Sequence, residues 1–315
     1  MNSSMLHYTH GIHAVDAGYE RPLFDSIHLI VEAGRAAVVD TGTNYSVDAT
    51  IAGLQSLGVS PEQVDYVVLT HVHLDHAGGA GELMRRCPNA KLAVHPRGAR
   101  HMIDPSRLWE ATVAVYGAAQ AVAVYGSIVP IPPERVIEMQ DGAEIVLAGR
   151  KLLFRDTPGH AKHHNVMIDS RTGHAFVGDI LGFSYRELDH AGKVFILPTS
   201  SPTQFDPAAM HRSLDLVASY QPEAVYLTHY SQVRDIPSLV ADLHRMVDLY
   251  AALGGKHQYD GAHRFDNLHA GMRQIAVDAA ARQGLPYSPA RIFEILGLDL
   301  RLNAQGLESW LDAQR

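Results

Sequence analysis

Cysteine is almost missing from this chain. Its 315 residues include one, Cys87, so no intrachain disulfide can form and no Cys-based zinc site can be built. The length suffices to bury a core without disulfides, and their absence fits a reducing compartment. A secretory leader is missing too: MNSSMLHYTHG carries no Lys or Arg and no apolar stretch. The expected location is the cytoplasm. Positive charge is the minority sign, 26 Lys and Arg against 34 Asp and Glu. No basic stripe of the kind nucleic-acid binders carry is present. One run, TVAVYGAAQAVAVYGSIVPI at 112–131, reaches bilayer-spanning length. It holds Gln120, is rich in Ala and Gly, and runs into Pro130, Pro132 and Pro133, so it reads as a buried or interfacial helix. The expected partner is a small-molecule substrate, with no nucleic acid and no membrane; a homodimer stays open.

What is present is an ordinary globular composition, 46% hydrophobic and 19% charged. Short β-branched runs predict strands at 27–32, 36–42, 65–70, 91–95, 144–149, 151–157, 165–170, 174–179 and 224–229. Helical patterns fall between them. One starts at Ser46 and stops at Gly58, one starts at Asp206, and one over 236–250 lines up Ile236, Leu239, Val240, Leu243, Met246, Val247 and Tyr250 on one face. Hairpins mixed with helices predict a layered α/β sandwich. The expected organisation is a core over 1–233, with a helical insertion at about 104–130, followed by a helical extension over 234–315.

Histidine is abundant, and its placement is informative. LTHVHLDHAGG, residues 69–79, puts His71, His73, Asp75 and His76 directly after the apolar run at 65–70. His160 follows another predicted strand in TPGH, Asp179 ends a third, and His229 ends a fourth. If these strands lie side by side, seven side chains converge on one sheet edge. Imidazole and carboxylate are zinc-type ligands. Three His for one ion, Asp plus two His for another and one shared carboxylate fit two metals roughly 3.5–4 Å apart. A single strand-end His is more often hydrogen-bonded or exposed than a ligand, but four ordered motifs together favour a metal site. Structural zinc sites are usually closed and Cys-rich, so a catalytic site is favoured here.

THVHLDH (70–76), TPGH (157–160), GD (178–179), THY (228–230) and the lead-in VVDTG (38–42) resemble the metallo-β-lactamase fold superfamily. The resemblance covers roughly residues 10–232. It implies a four-layer αβ/βα sandwich with two divalent metals at the sheet edge, zinc first, with iron or manganese as alternatives. By resemblance, His71, His73 and His160 hold one metal, Asp75, His76 and His229 the other, and Asp179 bridges. Asp179 stands where common zinc β-lactamases carry Cys, and His73 stands where flavodiiron proteins carry Glu. The resemblance therefore narrows to glyoxalase II, lactonase and phosphotriesterase-like hydrolases. GHAKHH replaces the GHxxGH of many relatives: His164 keeps the second His position, while His163 replaces Gly and is expected to be exposed, with support of a metal ligand as the alternative. The basic residues with which glyoxalase II binds glutathione have no match; Lys256 and Arg264 fall in no such pattern.

The expected reaction is attack by a metal-bridged hydroxide on a carboxylic ester, thioester or lactone, or on a phosphoester. Asp75 would orient the nucleophile and pass a proton to the leaving group. Asp40 would orient a ligand or simply form a turn. Tyr185 or Tyr230 would reach the substrate oxygen or else pack. Trp109, Tyr116 and Tyr125 in the insertion read first as packing, with a cover over the site as the alternative. Two other functions compete: a mononuclear iron oxidoreductase resembling persulfide dioxygenases, and a binding or signalling protein with a vestigial site.

Overall fold

A computed structural model describes residues 5–314, leaving the side chains of Val115 and Tyr116 outside the described set. The apolar runs pair into a seven-stranded and a six-stranded sheet. The first follows chain order: β1 (Leu6–His7), β2 (Ile12–Asp16), β3 (Ser26–Glu32), β4 (Arg35–Val39), β5 (Val64–Val68), β6 (Lys91–Val94) and β7 (Val136–Glu138). It is antiparallel from β1 to β4 and parallel from β4 to β7. The second comprises β8 (Glu144–Leu147), β9 (Arg150–Asp156), β10 (Asn165–Asp169), β11 (Ala175–Gly178), β12 (Ala224–Leu227) and β13 (Ser231–Arg234). Only β11 and β12 are parallel there. The central strands β10, β11 and β12 are buried along their whole length, while the edge strand β8 alternates exposed and buried. Strands buried on both faces read as continuous apolar runs, and half-solvated ones alternate.

Helices follow the same logic: α1 (Val47–Ser56), α2 (Leu74–Ala77), α3 (Ala80–Arg86), α4 (Pro96–Ile103), α5 (Ser106–Tyr116), α6 (Ala118–Tyr125), α7 (Pro207–Ser219), α8 (Ile236–His257), α9 (Arg264–Arg282) and α10 (Pro289–Asp312). The inner faces of the two sheets pack through Ile30, Val39, Val68, Phe154, Met167 and Phe176. The outer face of the first sheet is covered by α1, α3 and α4, and that of the second by α7 to α10. The result is the expected four-layer αβ/βα sandwich with a helical C-terminal extension. In α8, all seven predicted apolar positions are buried. Each contributes about 1.5–3 kcal/mol, against a few tenths per residue from helix propensity, so packing holds that helix. Asp206 caps α7 by accepting from Ala209 N at 2.9 Å, and Pro207 supplies its first turn.

Several expectations are corrected. Ser46 stands at the N-cap position of α1 as expected, but its side chain makes no cap bond; its Oγ donates to Ala17 O at 2.6 Å, and Thr43 caps the preceding single turn. The run 112–131 is not one helix, because the chain breaks at Gly117 (φ +79) between α5 and α6. No described helix is long and apolar enough to cross a membrane. The four strands that deliver the metal-capable residues do not lie side by side in one sheet. β5 belongs to the first sheet, while β9, β11 and β12 belong to the second. Their ends are drawn together by bonds between the sheets, Asn165 N to Thr70 O and Ser26 N to Thr228 O, both at 2.8 Å.

Candidate metal centre

Beyond β5 the chain bends at Thr70, and His73 opens α2 with φ −65 and ψ 151. That single turn sets Asp75 and His76 beside the two preceding histidines. The loop after β9 brings in His160, the end of β11 brings Asp179, and the end of β12 brings His229. The structure thus brings all seven predicted ligands together. His71, His73 and His160 form one group of donor atoms, and Asp75, His76 and His229 another. His71, His76 and Asp179 form a third between them, each group lying within 4.8 Å. Asp179 faces both sides: Oδ1 is 3.2 Å from His76 Nε2 and 3.4 Å from His229 Nε2, and Oδ2 is 3.5 Å from His160 Nε2.

The donor set fits a cation. His71 Nε2, His73 Nδ1 and His160 Nε2 stand 2.8, 3.0 and 3.2 Å apart. A hydrogen bond wants a nearly straight N–H, and a triangle with corners of roughly 60° cannot supply three of them. Three lone pairs aimed at one centre suit an ion with metal–nitrogen distances of about 2.0–2.1 Å. On the other side, His76 Nε2 and Asp179 Oδ1 are buried without a well-formed hydrogen bond although they face each other. Buried polar atoms left this way are rare.

Carboxylates fix the rings from behind. Asp40 Oδ2 accepts from His76 Nδ1 at 2.8 Å, leaving Nε2 to face the cluster. Asp40 is itself held by Thr70 N and Oγ1 and by Thr228 Oγ1. It adopts φ +56, in the left-handed region, which Asp tolerates better than most residues. Asp25, fully buried, lies 2.5 Å from His229 Nδ1. Such partners set the tautomer and orientation of ligating histidines. His164 completes the frame: its Nδ1 bonds Thr157 Oγ1 at 2.9 Å and its Nε2 accepts from Asp179 N at 3.2 Å.

Burial sets the protonation. It pulls the imidazoles of His71, His73 and His164 well below their ordinary value and that of His160 down to about 4. Neutral imidazole is the ligand form. Burial opposes charging at His76 and His229 too. There the carboxylates win, Asp179 and Asp75 for His76, Asp25 and Asp179 for His229, and hold both well above the ordinary value. Asp179 is buried, but His76, His229 and His160 keep its carboxyl well below the usual range.

The cluster forms the floor of a cavity of about 790 Å³, lined by Tyr19, Phe24, His73, Asp75, Tyr125 and residues of α4, α5 and α10 among others. This volume suits a small-molecule site. Tyr185 and Tyr230 are fully buried and are not among the lining residues. Tyr185 Oη instead donates to Asp299 Oδ1 at 2.9 Å, so its contact with the cavity runs through Asp299. His163 is not exposed as expected. Its ring stacks on His71 at 6.1 Å and Nδ1 faces Val72 N at 3.5 Å, because the short turn after His160 folds inward. Tyr125 lines the cavity, with its hydroxyl 3.2 Å from that of Tyr19. Trp109 borders a separate hollow beside Tyr45, and the Tyr116 side chain lies outside the described residues.

Sequence reasoning missed Asp25, Thr70, Thr228 and Asp299. A signal existed for the threonines: Thr precedes His at 70–71 and again at 228–229, and both hydroxyls converge on Asp40. Asp25 and Asp299 are single acids without spacing.

Comparison with known proteins agrees with this geometry. The metallo-beta-lactamase superfamily model matches residues 21–229. A metallo-beta-lactamase fold-containing protein of Sulfurisphaera tokodaii, ST1585, is 28% identical over 225 residues, 70% of this chain and 78% of that protein. Its crystal structure superposes with a TM-score of 0.61 at 26% identity, covering 76% and 86% of the two chains. A hydroxyacylglutathione hydrolase of Synechococcus is 29% identical over 146 residues, covering 45% of each chain, so that likeness spans under half of either protein. The chain belongs to the metallo-beta-lactamase superfamily.

Proposed function

We propose that the chain is a dinuclear metal-dependent hydrolase acting on a carboxylic ester, thioester or lactone, with phosphoesters as the neighbouring class. The observation that carries this reading is the pair of ligand groups meeting at Asp179 on the floor of a small-molecule cavity. The likeness to a hydroxyacylglutathione hydrolase leans the same way. His71, His73 and His160 would hold one ion, Asp75, His76 and His229 the second, and Asp179 both. Two divalent ions, zinc first with iron or manganese as alternatives, would supply a water of lowered pKa and a Lewis acid for the substrate oxygen.

The chain's own groups do the rest. Asp40 and Asp25 hold the His76 and His229 rings in place. Asp75 lines the cavity with its side chain 23% exposed, so it is placed to take a proton and return it to the leaving group. Tyr185 acts as a positioning residue that holds Asp299 at the cavity wall.

Elemental analysis of protein purified without added metal, paired with a panel of lactones, thioesters and phosphotriesters, tests the proposal. Two ions per chain with hydrolysis are expected. One iron per chain with oxygen uptake on persulfides, or no metal even after reconstitution, overturns it.

A further inference from the structure

The cavity mouth has a charge opposite to that of the whole molecule. The chain carries a net −8. In α4, Arg97, Arg100 and His101 fall at i, i+3 and i+4, one helix face, while Gly98, Ala99 and Met102 bury the other. Arg107 stands in the first turn of α5, and Lys162 follows the His160 turn. All five line the cavity. Some exposed cations elsewhere find acids, as in Arg86–Asp48, Arg234–Glu223 and Arg264–Asp312, while others, Arg212, Lys256 and Arg282 among them, stand in solvent without lining this cavity. Among the described residues, Arg97, Arg100, Arg107 and Lys162 have no ion-pair partner. Arg97 Nη1 donates to Lys162 O at 3.3 Å, and Arg100 Nε to His101 Nε2 at 3.3 Å. The lining acids are engaged deeper down. Asp75 and Asp179 face His76 and His229, and Asp299 accepts from Tyr185. The same cavity wall also carries Leu108, Leu298 and Leu302.

We propose that this rim is an anion-recognition subsite. Beyond its scissile bond, the substrate carries a carboxylate or phosphate group, which Arg97, Arg100, Arg107 and Lys162 receive. An apolar segment of the substrate lies along the leucines between the two ends. The inference rests on the hydrolase reading for the scissile bond but not for the anion. Guanidinium groups bind carboxylate and phosphate through paired, charge-assisted hydrogen bonds. Like charges gathered on one cleft also focus the field on an incoming anion. What sets these four apart from other solvated cations is that they converge on one cavity.

The test compares monomethyl adipate with dimethyl adipate on the metal-loaded protein. A calorimetric titration with hexanoate, hexyl phosphate and hexanamide runs alongside. The anionic ester is expected to be cleaved with kcat/KM about tenfold or more above the neutral one. That advantage should collapse in R100A/R107A and at about 0.5 M salt, where exposed charges are screened, while dimethyl adipate changes less than about twofold. R97A/K162A provides an independent second variant. Equal rates on the two esters, or an advantage untouched by both variants, overturn the proposal. If neither ester is cleaved, the hydrolase reading rests on the metal count and the wider substrate panel, and the titration alone decides the rim. Hexanoate or hexyl phosphate bound by the wild type and lost in both variants supports it. Binding that ignores the variants, or no preference over hexanamide, overturns it. The stronger of the two anions identifies the substrate as a carboxylate or a phosphate.

Discussion

Asp179 is the side chain on which the two halves of the cluster meet, so its loss should be felt on both. Asp179→Ala is expected to lose at least one ion per chain and nearly all hydrolysis, as read by elemental analysis and initial rates; full metal and full activity would refute the bridging role. Among the ligands, Asp40 bonds His76 directly. Asp40→Asn keeps the volume but weakens the grip on His76 Nδ1, and a loss of about 10–100-fold in metal affinity is expected. A chelator competition series measures it, and an unchanged series would reduce Asp40 to a turn former. Gly178 is constrained from two sides. It sits at φ +48, and a Cβ there would meet His164 Nε2 and Thr70 Cβ at 2.7 Å. Gly178→Ala should therefore cost about 1–3 kcal/mol of stability. At this scale the ligands were legible because they lie close together or follow predicted strands. His163 was misjudged because polarity in a loop says nothing of which way the loop folds.

At the level of elements, the nine predicted strands were legible from β-branched runs. The four left out each lack that signal: β1 has two residues, β2 carries His and Asp, β7 has three residues, and β13 reads SQVR on an edge. α10 was legible only as part of a helical extension packed on the core. It also walls the cavity through Leu298, Asp299, Leu302 and Asn303. Asn303 ties it to the loop before α7: Oδ1 accepts from Ser200 N at 2.7 Å, and Nδ2 donates to Pro198 O at 3.1 Å. Asn303→Ala leaves both groups buried without their partner, which should cost about 1–3 kcal/mol. Because Thr199 and Ser201 line the same cavity, KM is expected to rise as well. A denaturation midpoint equal to wild type would show that the contact holds nothing.

Across the whole molecule, what the sequence hid was the division of the site between two sheets. Strand spacing carries no information on which sheet a strand joins. One buried ion pair away from the metal centre ties β9 to β10 within the second sheet, and its arginine also reaches the first. Arg150, at the start of β9, donates to Asp169 of β10 at 2.8 and 2.5 Å, and reaches His10 O beyond β1 at 2.7 Å. Both side chains are almost fully buried. Burial alone would raise the Asp169 carboxyl, but the hydrogen bonds from Arg150 and Thr172 hold it below the ordinary range. A carboxyl depressed in the folded state stabilises the fold above its unfolded pKa of about 3.9. That contribution fades as pH falls through the folded value. Asp169→Asn removes the charge and strands the guanidinium, which should cost about 3–5 kcal/mol at neutral pH. It should also flatten the acid limb of stability against pH. Urea midpoints measured from neutrality into acid for both proteins decide the matter. If the variant's curve runs parallel to wild type on the acid side, the acid sensitivity belongs to other carboxylates and not to the Arg150–Asp169 pair.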